Sequence, residues 1–379
     1  MTTRCPSCYS SNLQFVYELS SGPAMQNKPV MSLKSALKEK SNRIALYGCN
    51  SCGFLFNALF DENDILYEPG YDNTTTASPA FRDYTVATAK RLFRAHNLKK
   101  KKILEIGCGQ GFFLRQIYNF GARKIRCFEP AYENHDAVID KFVVRKLFNR
   151  KTARGKFHLI ICREVLEHIP NPRDFLGLVM QHLEEDGALY FEVPSLEWII
   201  RHRSLFDFTY EHCSYFTKKS LYNLFNQFGF GDISFRLGFD EQYIQAEIRR
   251  GKGRPPRQTI PDFRKISGFL AARMVSYKKS MRDWGKFAVW GIAGKGVTFL
   301  NRMGINRKKS EYAIDINSRK HGRFVPITGQ LIVGPEILQK EKMDSIIIMN
   351  PAYAREIKAM AISVGYKGKF VLPLLKAWT

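Results

Sequence analysis

Ile103-Leu-Glu-Ile-Gly-Cys-Gly-Gln-Gly111 reads as a short apolar strand running straight into a glycine turn. Glycines at alternate positions let the backbone reverse tightly and approach a ligand closely. Phe112–Phe120 follows with a helical pattern, so the turn joins strand to helix. Outward from it the alternation continues. A helix is expected before it, over Ala80–His96, and strands after it over Lys124–Phe128 and Phe157–Cys162. Then come a helix, Phe175–Leu183, and a strand, Ala188–Val193, that ends in Pro194. Asp232–Phe235 and Tyr243–Ile248 fit an antiparallel edge hairpin. This order predicts an α/β fold, an open and mainly parallel sheet with helices on both faces. Glu105 precedes the glycines, and Glu129 ends the next strand, where a carboxylate can accept both hydroxyl hydrogens of a ribose.

The basic, proline-containing run Arg249–Arg257 reads as a linker. Beyond it, Phe263, Ile266, Leu270, Met274, Tyr277, Met281 and Trp284 recur at three- and four-residue steps and predict a long helix over Asp262–Trp284. Strands then return at Phe287–Trp290, Tyr312–Ile316 and Asp344–Met349, a second α/β unit. Its turn, Gly291-Ile-Ala-Gly-Lys-Gly296, with Asp315 downstream, imitates a dinucleotide fingerprint. The glycine order is G-x-x-G-x-G, so a full second cofactor site is not expected. A helix start can still take a phosphate, and Lys295 is the cation placed for it. Asn350-Pro-Ala-Tyr353 is read as a strand-to-helix turn.

Ahead of the first unit stand Cys5-Pro-Ser-Cys8 and Cys49-Asn-Ser-Cys52. Two thiolates from one CxxC turn reach one metal, and two such turns complete a tetrahedral zinc site. The alternatives are four ordinary buried cysteines or a redox pair. With all four sulfurs used, Cys5, Cys8, Cys49 and Cys52 predict a structural zinc and no open position for chemistry. The long spacer, rich in Ser, Lys and Asn, reads as a loop or irregular insert. The domain boundaries expected are 1–78 for the zinc module, 79–250 for the cofactor domain, and 251–379 for the linker helix and C-terminal unit. Cys108, Cys127, Cys162 and Cys213 are scattered and read as reduced thiols of a cytoplasmic protein.

The net charge of +24 invites nucleic acid, a membrane surface or phosphorylated small molecules. The basic runs at Lys99–Lys102 and Arg249–Arg257 do not interleave aromatics as a base-stacking surface would, which disfavours nucleic acid. No apolar run reaches membrane-spanning length, and no secretory signal is expected at the N-terminus.

The glycine run, Glu129 and Cys162-Arg-Glu-Val-Leu-Glu-His168 together resemble the class I S-adenosylmethionine-dependent methyltransferases, in which E-x-G-x-G-x-G and a "VLEH" segment recur. The resemblance implies a Rossmann-like core that binds S-adenosylmethionine. Gly107, Gly109 and Gly111 would form the methionine-side loop with Glu105 before it. Glu129 would hold the ribose, and Phe148 and Arg163 would neighbour the adenine or sulfonium. A dinucleotide dehydrogenase would need G-x-G-x-x-G instead. His168 is read as packing against the strand end.

From end to end the chain resembles the zinc-containing sugar C-methyltransferases, which methylate nucleotide-activated keto-deoxysugars. Glu211-His-Cys-Ser-Tyr-Phe216 is similar to the family's E-H-F-S-Y-F segment, and Asp315–Gly329 to its N-x-x-K-x-G-R-x-x-P-G-T segment. Tyr71 resembles the tyrosine of the Y-x-S-S segment. The resemblance implies His212 as general base, Glu211 and Tyr71 beside it, a nucleotide-linked sugar as partner, and a C-terminal unit that walls the substrate cleft. Where the family reads Y-H-E-H this chain has Thr209-Tyr210-Glu211-His212, and Cys213 replaces a phenylalanine. These departures bear on the substrate and leave the acid–base residues in place. Histidine suits removal of a proton beside a ketone, because its ordinary pKa lies near neutrality. Methylation of oxygen or nitrogen on another small molecule, and then of RNA, are the competing readings. The oligomeric state is not legible.

Overall fold

The computed structural model describes residues 3–72, 74–134 and 136–373. In the first part, β1 (Leu13–Gly22), β2 (Asn42–Cys49) and β3 (Leu55–Asn57) form antiparallel pairs. The spacer between the cysteine pairs is therefore ordered, against the irregular insert expected. Val16, Leu19, Ile44 and Leu46 bury one face of these strands. Register shifts at Phe15/Tyr17 and Ser20/Gly22 break the alternation that would have announced β1.

The central sheet holds β4 (Lys102–Ile106), β5 (Lys124–Phe128), β6 (Val143–Val144), β7 (Phe157–Arg163) and β8 (Leu183–Pro194), all parallel. Next in the chain is β9 (Ser214–Tyr215), which leaves this sheet and pairs antiparallel with β3. The edge hairpin of β10 (Asp232–Gly238) and β11 (Tyr243–Arg249) then closes the order β10-β11-β8-β7-β4-β5-β6. The strand order reverses at β4/β7, so the crevice beyond the carboxyl end of β4 is where a ligand belongs.

The helix Phe263–Ser280 follows, ending in a tighter turn at Met281–Asp283. It is held to the first sheet by shape. A Cβ added at Gly48 of β2 would lie 2.4 Å from the Phe263 ring. The last sheet is wholly parallel: β12 (Phe287–Trp290), β13 (Tyr312–Ile314), β14 (Leu331–Val333), β15 (Ser345–Ile348) and β16 (Lys369–Val371), in the order β14-β13-β12-β15-β16. One apolar core, including Leu46, Phe208, Phe263, Ile266 and Phe299, runs through all three parts. Arg302 is buried among them and donates to the carbonyls of Ser20, Leu205 and Phe208. Burial pushes its pKa down to about 10. Among the described residues no helix is long and apolar enough to cross a membrane.

Candidate active site

The glycine turn after β4 is strained in the way only glycine tolerates. Gly107, Gly109 and Gly111 have φ of 76°, 53° and 80°. A Cβ at Gly107 would lie 2.2 Å from Val165. Gly111 opens the helix Phe112–Asn119 and stands behind the turn, while Gly107 and Gly109 line a cavity of 390 Å³. Glu129, just beyond β5, accepts from Gly109 N–H and Ala131 N–H, both at 2.9 Å. Each carboxylate oxygen keeps a lone pair for a hydroxyl. Burial pushes its pKa up. Glu105 is buried with Oε2 unpartnered, and burial raises it to about 8. Phe148 packs on Phe128 at 5.4 Å and gives the cavity an apolar wall. Arg163 lines it too, but its guanidinium is committed to Glu192 at 2.8 Å and lies over Phe113. An orphaned acid, a glycine cradle, a ribose-type carboxylate and an apolar wall fit S-adenosylmethionine.

The expectation of reduced thiols fails for one pair. Cys108 and Cys127 are joined by a disulfide. Parallel pairing sets Glu105 opposite Cys127, and the turn carries Cys108 back over that strand, with the Cα atoms 6.5 Å apart.

At the end of β7, Glu164 adopts φ 55° and turns the chain sharply, so a short helical turn, Leu166–His168, delivers Glu167 and His168 to the cavity. His168 does not merely pack against the strand end. Its ring meets that of His212 edge-on, with centroids 4.8 Å apart. His168 Nδ1 lies 3.0 Å from the Glu211 carbonyl oxygen, which can only accept, so Nδ1 bears the proton and Nε2 is bare. The Tyr67 hydroxyl also lies 3.0 Å from Nδ1. Burial lowers the His168 pKa, with His212 adding to the effect. Burial, then the Lys295 charge, bring His212 down to about 4. Both rings are therefore neutral and able to accept a proton.

Tyr71 and His212 line the cavity, and Glu211 sits behind them. Glu211 Oε2 accepts from Gln26 N–H at 2.9 Å, and burial raises its pKa to about 7. Tyr71 lies beside it, and Glu211 Oε1 has no hydrogen-bond partner. Tyr210 points away, its hydroxyl bonded to Asp64 in the first part of the chain. Sequence reasoning missed Tyr67, Gln26, Glu167 and the role of His168. Their signal is tertiary, since they come from segments far apart in the chain.

The far wall comes from the C-terminal unit, with Trp290, Gly291, Asp315, Lys320 and Tyr353. Lys295 is not free for a phosphate. It pairs with Asp207 at 3.1 Å, donates to Gln242 and lies over the Trp198 ring. Asn350, of the second turn, exchanges two side-chain hydrogen bonds with Gln242, both at 3.0 Å.

The four cysteines form a compact cluster outside the cavity. Their ligand atoms lie within 4.8 Å of one another, with Cys5–Cys52 at 3.7 Å and Cys8–Cys49 at 3.6 Å. Sulfurs around a tetrahedral zinc lie about 3.8 Å apart. Hydrogen bonds from Cys5 and Cys52 bring Cys49 to about 2, while their bonds to Cys49 push Cys5 and Cys52 up. Four thiolates this close repel one another and need a dication to hold them together. The donor set fits zinc.

Two family descriptions match this chain: "Methyltransferase domain" over residues 80–234 and "C-methyltransferase C-terminal domain" over residues 262–374. The first spans the glycine turn and most of the central sheet, which are thus similar to a methyltransferase domain. The second spans the last sheet, which is thus similar to a C-methyltransferase C-terminal domain. Among curated proteins, C-methyltransferase NovU of Streptomyces niveus is 23% identical over 247 residues, 59% of this chain and 58% of that protein. Ubiquinone biosynthesis O-methyltransferase of Glaesserella parasuis serovar 5 is 30% identical over 110 residues, 26% of this chain and 47% of that protein. The chain spans about half the length of the curated relatives it matches, from 40% to 58%. Magnesium protoporphyrin IX methyltransferase from Synechocystis PCC 6803 is 14% identical, with a TM-score of 0.37 over 45% of this chain and 84% of that one. Nothing below rests on that last likeness.

Proposed function

We propose that this chain transfers a methyl group from S-adenosylmethionine to a carbon beside a ketone, on a nucleotide-linked keto-deoxysugar or a similar small keto metabolite. The observation that carries the reading is His212 in the wall of the same cavity that the glycine turn lines. The match of residues 262–374 to a C-methyltransferase domain supports carbon as the acceptor. Gly107, Gly109 and Gly111 shape the cofactor loop, Glu105 and Glu129 bind its polar groups, and Phe148 and Arg163 flank it.

S-adenosylmethionine, when bound, supplies an electrophilic methyl group. His212 accepts the proton from the substrate carbon, and its neutral form is ready to do so. Tyr71, in the cavity wall, binds a substrate hydroxyl, and Glu211 behind it anchors the segment that carries His212 through Gln26 N–H. The phenols of Tyr67 and Tyr71, both in the cavity wall, can donate to the enolate oxygen that forms. The cysteine zinc is structural.

His212→Asn should retain S-adenosylmethionine binding by calorimetry and lose turnover by about two to four powers of ten. Hydrogen exchange at the substrate carbon in deuterated buffer, followed by mass spectrometry over a panel of nucleotide 4-keto-sugars, should stop in the same variant. Near wild-type turnover would move the base elsewhere, with Tyr71 next. The O-methyltransferase relatives favour a second reading, methylation of oxygen. It predicts methyl transfer with no exchange of the carbon-bound hydrogen.

A further inference from the structure

We propose that Glu167, His168 and His212 form a second metal site, set in the cavity wall, that takes a divalent transition ion such as zinc, cobalt or nickel. A carboxylate oxygen and one nitrogen from each ring lie within 4.8 Å of one another. Ligand atoms held about 2.1 Å from one ion are about 3.4 Å apart at the tetrahedral angle, so closure asks for side-chain shifts of about an ångström. All three groups line the cavity, so an ion enters by the substrate's route.

Two independent features point to an ion. The first is Glu167. It is buried, its Oε2 has no hydrogen-bond partner, and the proposed reaction gives it no task. An unpartnered buried carboxyl is costly, and a cation satisfies it. The second is the Glu211 carbonyl oxygen, 3.0 Å from His168 Nδ1. Metal-bound histidines commonly donate their far N–H to a carbonyl, which fixes the tautomer and aims the bare nitrogen at the ion.

The ligand types select the ion. Two imidazoles and one carboxylate suit zinc, cobalt or nickel, whereas magnesium and calcium prefer oxygen throughout. Lys295, whose charge acts on His212, opposes any cation here. That charge is partly offset by Asp207. The site should therefore be weaker than the cysteine cluster and reversible. When it is filled, His212 no longer has a lone pair for a proton. The ion then acts as a switch that turns the base off, a consequence that rests on the proposed role of His212.

The test is cobalt titration of the full chain with its cysteine cluster loaded. Thiolate-bound cobalt shows strong near-ultraviolet charge transfer, and a histidine–carboxylate site shows only weak visible bands. The expected result is uptake of about one further ion per chain, on the coordination count, without new charge transfer. His168→Ala and Glu167→Gln should each weaken this uptake at least tenfold, with Glu167→Asp retaining part of it. Magnesium should not compete. Unchanged charge transfer from the cysteine cluster verifies that each variant is folded. No further uptake by the parent chain, or uptake unaffected by both variants, overturns the site. Cobalt that binds there without slowing carbon-hydrogen exchange keeps the site and instead removes His212 as the base.

Discussion

After β4, Glu129 accepts from Gly109 N–H and from Ala131 N–H, both at 2.9 Å. After β12, Asp315 accepts from Ile292 N–H and from Asn317 N–H, again both at 2.9 Å. The same device is built twice: an acid beyond the second strand holds the turn after the first strand and its own loop. What differs is the space above the acid. Among the described residues no cation reaches Glu129, and its outer lone pairs face the cavity. Over Asp315 sits Lys320, with Nζ 2.7 Å from Ile292 O and 3.5 Å from Asp315 Oδ2. The second turn has taken one of its own side chains where the first leaves room for a ligand. In addition, a Cβ at Gly296 would lie 2.0 Å from Gly291 O, so that glycine serves close packing of helix on turn. A glycine turn with an acid beside it is thus a backbone solution. Whether it binds a nucleoside depends on what else the loop brings.

The contrast is most exposed to Glu129→Ala against Asp315→Ala. The first removes charge-assisted bonds worth about 3 kcal/mol together and should weaken S-adenosylmethionine about a hundredfold. The second should leave its affinity within about twofold, the scatter expected of a distant change. Equal losses by calorimetry would erase the distinction. Next in size, Lys320→Met should lower unfolding stability by about 2 kcal/mol, because Ile292 O loses its partner and Asp315 its cation. Donor affinity should not change. A denaturant midpoint equal to that of the parent would show Lys320 to be idle.

The smallest effect concerns a third acid, outside both turns. Glu247 pairs with His96 and Arg91, and its pKa falls to about 2 through its bond to His96, then the Arg91 charge. A depressed folded pKa means that the stabilisation is complete above the ordinary value of 4.5 and fades as pH falls toward 2. Glu247→Gln should cost about 1–2 kcal/mol at neutral pH, after allowance for solvent screening. The cost should vanish in acid, as read from urea midpoints across that range. A pH-independent cost would mean lost packing and not lost charge.

The strands at Lys102–Ile106 and Phe287–Trp290 were legible because each is an apolar run that stops at a glycine, and Lys124–Phe128 because charged and apolar residues alternate along it. Val143–Val144, Ser214–Tyr215 and Leu331–Val333 are too short to carry a period. The glycine turn and Glu129 lie within one strand–helix–strand unit, so local order placed them side by side. The contact of His168 with Glu211 spans 43 positions, and nothing near His168 in the chain foretells it. The disulfide was hidden for a related reason. Cys108 and Cys127 meet only once the register of two parallel strands is known.

One consequence follows from the pairing of Leu55 with Tyr215 and Phe56 with Ser214. The first sheet borrows its last strand from a segment far along the chain, right after His212. During synthesis from the N-terminus, the cysteine pairs and β1 to β3 emerge early, but their sheet keeps an open edge until Tyr215 has left the ribosome. Open edges invite pairing with other chains. The order of assembly thus runs from the cysteine cluster to the edge to the cavity wall, and His212 reaches its place only as that edge is sealed.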